Sequence, residues 1–282
     1  MKVVRSIQEM HEVRRQAAAQ GLTVGFVPTM GALHAGHLSL VREARRRAQL
    51  VVVSIFVNPL QFGPNEDYQQ YPRTLEKDCA LLEPIGADVV FSPSADEMYP
   101  KDATTIVDVE DLGNKLDGRS RPGHFRGVAT VVSKLFHIVQ PTWAIFGQKD
   151  AAQVAVLRRM VRDLNMDVEL VVAPIVREDD GLALSSRNAY LSADERAQAL
   201  VLQRALNAAE QLAATGERRS ESLRQCALHV LSAEPAAKLD YLEIVDPDTL
   251  DPVANIAHGA LVAVAAWFGK TRLIDNLLLP PR

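Results

Sequence analysis

Short apolar runs alternate with amphipathic stretches through the first part of the chain. Leu22–Val27 and Leu50–Val57 are near-continuous apolar runs and predict buried strands. Val89–Phe91, Thr105–Val109 and Thr142–Phe146 predict three more. Helical periodicity fills several intervals between them, at His37–Ala48, Thr74–Leu82, Gly127–Val139 and Ala151–Arg162. Ahead of them all, Ser6 and Glu9 form a capping-box pattern that opens a helix running to about Gln20, and Gly21 stops it. Strands that alternate with helices predict βαβ units and a mainly parallel sheet. Such sheets bind ligands outside the carboxyl ends of their strands.

The texture changes after Pro174. A polar loop, Arg177–Asn188, leads to a second capping box, Ser192 with Glu195, which opens a helix to about Ala214, with Gly216 beyond its end. A further helix over Ser220–Leu231 and two strand-like runs, Leu239–Val245 and Leu261–Phe268, complete a small α+β region. The expected fold is therefore α/β. Residues 1–175 form a Rossmann-like parallel-sheet domain and residues 176–282 a smaller α+β domain. Two domains also suit the length of 282 residues.

Composition narrows the classes. Hydrophobic residues make up 48% and charged residues 23%, the balance of an ordinary globular protein. The net charge is −4, so no overall positive field attracts nucleic acid. The run Arg45-Arg46-Arg47 lies in a helical pattern with acids nearby and reads as a solvated face. Cys79 and Cys226 are far apart and show no CxxC spacing, so neither a disulfide framework nor a zinc site is expected. No apolar run of membrane-spanning length occurs, and the first residues lack the apolar core of a signal peptide. A cytoplasmic location is the resulting expectation.

Four stretches carry candidate chemistry. In Pro28–His37, two histidines flank Ala35-Gly36 at the predicted passage from strand to helix. The helix start offers free N–H groups to an anion, and imidazoles beside it can contact polyphosphate oxygens and exchange protons near neutral pH. Simple capping and packing of the helix start is the alternative. In Phe146–Gln153, Gly147 clears space at a second strand end and Lys149 offers a mobile charge to phosphate, with Gln153 one helical turn on; a surface turn would also explain it. In Leu184–Asn188, two hydroxyls and a guanidinium suit a phosphate clamp on a mobile lid, or else an interdomain linker. In Phe56–Phe62, Asn58 and Gln61 could hydrogen-bond a small acid, or merely cap the strand end. The basic cluster Arg121–Gly127 reads as a similar site or as a loop before a helix.

These motifs together resemble the pantothenate synthetase family of pantoate–β-alanine ligases, within the HIGH-motif nucleotidyltransferase superfamily. The resemblance spans FVPTMGALHAGHLSLV (26–41), FVNPLQFGPNEDYQQYPRT (56–74), RPGHFRGVATVVSKLF (121–136), FGQKDAAQ (146–153) and LALSSRNAYLS (182–192). It implies condensation of pantoate with β-alanine, driven by ATP with Mg²⁺, through a pantoyl-adenylate, in a homodimer. By resemblance, Met30, Gly31, Ala32, Leu33, His34, Ala35, Gly36 and His37 hold ATP, with His37 as proton donor. Gly147, Gln148, Lys149, Asp150, Val176, Leu184, Ser185, Ser186 and Arg187 complete the nucleotide site. Gln61 and Gln153 bind pantoate, Asn58 supports the phosphate side, and Asp78 is the candidate Mg²⁺ ligand. Leu60 and Leu184 depart from a methionine found in family members at those positions, a swap that roughly conserves volume.

Two other functions compete. A nucleotidyltransferase that passes a nucleotide to a phosphorylated small molecule suits the histidines equally, but leaves the amides Asn58 and Gln61 without a purpose. A non-catalytic nucleotide-binding module leaves His34, His37, Lys149 and Arg187 unexplained. An aminoacyl-tRNA synthetase is disfavoured, because no anticodon-reading domain or basic face is visible.

Overall fold

The structure is a computed structural model that describes residues 1–64 and 66–281, with the side chain of Asp67 outside the description. Asn65, within the stretch 56–74 quoted above, thus lies outside the described residues. In chain order the elements are β1 (Lys2–Val4), α1 (Ile7–Ala19), β2 (Val24–Thr29), α2 (Ala35–Arg47), β3 (Leu50–Ile55), α3 (Leu75–Leu82), β4 (Val89–Phe91), α4 (Ala95–Met98), α5 (Asp117–Ser120) and α6 (His124–Val139). They continue with β5 (Trp143–Gly147), α7 (Ala151–Asp163), β6 (Glu169–Ala173), α8 (Ala193–Ala199), α9 (Val201–Ala214), α10 (Ser220–Ser232), β7 (Lys238–Val245), β8 (Ala260–Phe268) and β9 (Thr271–Leu279). The chain divides into two compact units. The first comprises residues 1–147 and 156–174, the second residues 148–155 and 175–282.

The first unit is built on a six-stranded parallel sheet in the order β1-β4-β3-β2-β5-β6. β3 has the run Leu-Val-Val-Val-Ser-Ile, and five of its six residues are buried, as a central strand covered on both faces requires. Val27, Val41, Ala44, Val53, Leu82 and Ile145 belong to one core cluster, which seals α2 and α3 against the sheet. The strand order reverses between β2 and β5, a topological switch point where open α/β sheets place their ligand sites.

The caps that the sequence predicts are formed. Ser6 Oγ accepts from Glu9 N at 3.2 Å and Glu9 Oε2 accepts from Ser6 N at 3.0 Å, so α1 starts on a reciprocal box. The expected strand at Thr105–Val109 is absent. Its backbone bonds to a helix side chain instead of a neighbouring strand: Val107 N donates to Thr130 Oγ1 at 3.0 Å, and that hydroxyl lies 3.2 Å from Val107 O. β1 and β6, both at sheet edges, went unpredicted.

The second unit holds an antiparallel sheet in the order β7-β8-β9, with α9 and α10 packed beside it. β8 and β9 pair from Ala260↔Leu279 to Phe268↔Thr271, leaving Gly269-Lys270 as a two-residue turn in which Gly269 has φ 56°. The single helix expected from Ser192 to Ala214 is two. Leu200, with ψ −15°, opens the turn between α8 and α9. No helix among the described residues is long and apolar enough to cross a membrane. Both cysteines are free thiols.

Candidate active site

At the switch point β2 ends in Thr29 and the chain turns sharply into α2. Gly31 has φ 87° and Ala32 φ 50°, so two successive residues are left-handed. A Cβ on Gly31 would sit 3.0 Å from Asp78 Oδ2 and 3.1 Å from Ile55 Cγ2. The conformation therefore calls for glycine, and the space beside it is tight. The turn is anchored from α3: Asp78 accepts from Ala32 N at 3.1 Å, Leu33 N at 2.9 Å and Thr74 Oγ1 at 3.3 Å. Asp78 is 1% exposed. Both carboxylate oxygens thus hold the 31–33 turn, which ties α3 to the start of α2. No cluster of three metal-ligating side chains occurs among the described residues.

The histidines then form an unusual cap. His34 is the N-cap of α2, and its Nδ1 accepts from Gly36 N at 3.2 Å; His37, three residues on, accepts from His34 N at 3.4 Å through its own Nδ1. Two imidazoles thus play the parts that Ser and Glu play in α1. The rings lie 4.1 Å apart, centroid to centroid. An Nδ1 that accepts an amide hydrogen carries none itself, so each neutral ring has its hydrogen on Nε2. The capping reading of His-x-Gly-His is met by the two Nδ1 atoms, and the hydrogen of each neutral ring is on Nε2.

Asn58 and Gln61 follow β3, around a short 3₁₀ turn at Pro59–Gln61. Asn58 is 1% exposed and its amide is saturated. Nδ2 donates to Gln61 Oε1 at 3.1 Å and Gly127 O at 3.0 Å, while Oδ1 accepts from Leu60 N at 3.3 Å and Tyr99 OH at 2.8 Å. With two donors and two lone pairs all engaged, Asn58 holds the Gln61 amide in place. Gln61 Nε2 rests on Met30 Sδ at 3.1 Å. A thioether is a weak acceptor, so this donor exchanges readily for a ligand oxygen.

Gly127 in α6 makes that arrangement possible. A Cβ there would meet Leu60 O at 2.3 Å and Gln61 N at 2.6 Å, so α6 and the 59–61 turn touch backbone to backbone. The basic cluster identified in the sequence supports the same turn. Arg121 pairs with Glu66 at 2.6 and 2.7 Å, and His124 Nδ1 donates to Gln61 O at 2.8 Å while its Nε2 accepts from Arg121 at 3.0 Å. Burial would raise the Glu66 pKa, but the hydrogen bonds and charge of Arg121 outweigh it and hold the carboxyl below its usual range.

His124 is kept neutral. Burial, and then the charge of Arg121, push its pKa down to about 4 from 6.5. As pH falls below 6.5 the unfolded chain gains a proton that the folded chain refuses. Stability is therefore unaffected above 6.5, declines between 6.5 and 4, and suffers no further loss from this group below 4. A difference of about 2.5 pH units at ~1.36 kcal/mol each amounts to about 3 kcal/mol. Histidine NMR titration is expected to show the His124 ring unprotonated down to about pH 4. A His124 midpoint above 6 contradicts the burial argument.

In the second unit, Gln148–Asp150 form a 3₁₀ turn before α7. Lys149 therefore does not share an α-helical face with Gln153, which is the third residue of α7. Lys149 Nζ lies 3.6 Å from Asp150 Oδ1. The segment read as a mobile lid or an interdomain linker carries a hydrogen-bonded turn. Leu184 N donates to Val176 O at 2.9 Å and Glu178 N to Leu182 O at 2.8 Å, and Arg177 pairs with Ala183 as an isolated bridge. Asn188 Nδ2 ties it to Glu178 at 2.7 Å, and Arg196 joins Glu178 at 2.8 Å and Asp180 at 2.6 Å. Ser185 caps the following 3₁₀ helix by accepting from Arg187 N at 3.3 Å. Within the first unit, then, the structure brings Met30, Asn58 and Gln61 together; within the second it pairs Val176 with Leu184 and sets Gln148 and Lys149 against β9. Sequence reasoning missed the supports Tyr99, Glu66 and Asn276, and no local pattern marks them.

A His-x-Gly-His helix start thus lies at the reversal point of a parallel sheet, where such sheets place their ligand sites. The chain belongs to the pantoate–β-alanine ligase family, whose model matches residues 2–278. A pantothenate synthetase from Koribacter versatilis is 62% identical over 279 residues, covering 99% of this chain and 96% of that protein. A pantothenate synthetase crystal structure from Thermus thermophilus superposes with a TM-score of 0.94 at 50% identity, with complete coverage (100%) of both chains. A pantoate–β-alanine ligase structure from Francisella tularensis, complexed with β-γ ATP and β-alanine, matches with a TM-score of 0.75 at 35% identity, covering 99% of this chain and 97% of that one.

Proposed function

We propose that this chain condenses (R)-pantoate with β-alanine to give pantothenate, AMP and pyrophosphate, through a pantoyl-adenylate. The observation that carries the chemistry is the paired-histidine cap of α2, which turns two Nε2–H donors and a helix N-terminus into one anion site. In the first step a pantoate carboxylate oxygen attacks the α-phosphorus of ATP and the bond to the pyrophosphate oxygen breaks. Negative charge grows on the phosphate oxygens, which His34, His37 and the first amides of α2 receive. Lys149 and Arg187 supply full charges, and Ser185 and Ser186 supply hydroxyl donors. Gln61 and Gln153 hold pantoate, with Asn58 fixing Gln61. In the second step the β-alanine nitrogen attacks the acyl carbon, the acyl–oxygen bond breaks, AMP leaves, and the amine gives up a proton.

Met30–His37 and Gly147–Asp150 would contact the nucleotide, with Val176 and Leu184–Arg187 completing its site. Residues 1–175 act as the nucleotide- and pantoate-binding domain and residues 176–282 as a lid domain. Mg²⁺ would accompany ATP and neutralise charge on its phosphate oxygens. The protein works in the cytoplasm as a homodimer, which sedimentation would test.

The test is isotope exchange between ATP and pyrophosphate. Pantoate alone is expected to support exchange, while net AMP release needs β-alanine. Exchange that strictly requires the amine rules out a free adenylate. Nucleotide transfer to a phosphorylated acceptor, with no amine dependence, would point to a transferase.

A further inference from the structure

The last strand carries two adjacent polar residues that the proposed reaction leaves without a role. Asp275 and Asn276 sit in the middle of β9 and are 3% and 4% exposed. Buried polar groups cost free energy unless they are bonded, and both of these are. Asn276 Nδ2 donates to Gln148 O at 3.0 Å and to Lys149 O at 2.9 Å, and its Oδ1 accepts from Gln148 Nε2 at 2.9 Å. Asp275 accepts from Arg177 Nη1 at 2.7 Å and Nη2 at 3.0 Å, and Arg177 Nη1 also donates to Gly181 O at 3.1 Å. One dipeptide therefore grips the turn that bears Lys149 and the start of the segment that ends in Ser185–Arg187.

An apolar pair would fill a strand interior at lower desolvation cost. What the polar pair adds is geometry. Asn276 binds the main chain of residues 148 and 149 and takes no part in bonding the Lys149 ammonium. We infer that Asn276 is a positioning residue for adenylate formation, which fixes the backbone from which Lys149 reaches the phosphates. This rests on the assignment of Lys149 to phosphate made above. Its partner Asp275 holds the strand in register with the Arg177 segment by a two-pronged ion pair. The effect of Asn276 is large because reacting groups tolerate little misplacement: a shift of about 1 Å can cost on the order of 10²-fold in rate.

A double-mutant cycle separates positioning from mere support of the fold. Single-turnover rates are measured for adenylate formation from ATP and pantoate, and for amide formation from preformed pantoyl-adenylate and β-alanine. The proteins are wild type, N276A, K149A and K149A/N276A, assayed well below their melting temperatures. N276A is expected to slow adenylate formation about 10- to 100-fold and to leave amide formation within about threefold. Added to K149A, it should cost less than about threefold more, because its target is already gone. If N276A fails to fold, Asn276→Ser, which keeps a hydroxyl donor and acceptor, completes the same cycle. Full multiplication of the two losses, or equal loss in both steps, overturns the inference and leaves the assignment of Lys149 standing. A K149A enzyme with normal adenylate formation defeats that assignment instead.

Discussion

His37→Gln is expected to slow adenylate formation by about 10²–10³-fold while hardly changing the melting temperature. The two effects separate because the cap and the proposed chemistry use different nitrogens of His37. Its Nδ1 closes the cap of α2 by accepting from His34 N. Glutamine is a natural partner at that position of a capping box, so its side-chain oxygen can take over the bond and the helix start survives. What glutamine lacks is a ring nitrogen whose hydrogen can pass to a phosphate oxygen or be held against it. General-acid assistance typically contributes about 10²–10⁴-fold. His37→Ala removes the bond from His34 N and leaves the His34 cap on Gly36 N, which should cost about 1 kcal/mol in addition. Thermal unfolding and single-turnover adenylation, measured on both variants, give the comparison. If His37→Gln is as active as wild type, the imidazole serves only as a cap.

The parts of the molecule that were legible in advance are those whose physics is local. Ser6 with Glu9, and Ser192 with Glu195, announced helix starts, because a capping box needs only residues three apart. β3 announced itself by a run too apolar to lie anywhere but in a sheet interior. β9 did not. Asp275-Asn276 interrupts its apolar run with two residues that favour turns, and only the contacts with Arg177 and with Gln148–Lys149, about 100 residues or more distant in sequence, explain their burial. Thr105–Val109 failed in the opposite sense, since its strand-like composition found no strand to pair with. The same division runs through the candidate site. His34, His37, Gln61 and Lys149 could be picked out because they follow strand ends. The supports could not, because hydrogen bonds from Tyr99 to Asn58, or across the Glu66–Arg121–His124 chain to Gln61, leave no trace in spacing. The bonds from Asp78 to the amides of Ala32 and Leu33 belong with these supports, because they span 46 and 45 residues of sequence.

Lys149→Ala is expected to cost about 10²–10³-fold in adenylate formation and far less in amide formation. Lys149 follows directly on a strand end, in a 3₁₀ turn whose backbone is held by Asn276. Its nearest acid, Asp150, lies 3.6 Å from Nζ and is itself about half exposed, at 49%, an arrangement typical of ion pairs that add little. The ammonium is therefore not held in a strong salt bridge with Asp150, and a phosphate can take it at small cost. Its charge matters most while pyrophosphate departs, since that is when negative charge gathers on the oxygens within its reach. Attack of β-alanine on a preformed adenylate involves no pyrophosphate, so that step lacks the charge Lys149 would stabilise. Lys149→Arg should restore only part of the lost rate, because a planar fork does not stand in for a compact point charge at the end of a flexible stem. The measurement is single-turnover kinetics of each half-reaction, the second started from chemically prepared pantoyl-adenylate. A mere surface lysine would leave both steps near wild type. Equal loss in both, with the fold intact by circular dichroism, would mean that Lys149 serves something common to the two steps, such as the adenine or the α-phosphate, and not the leaving pyrophosphate.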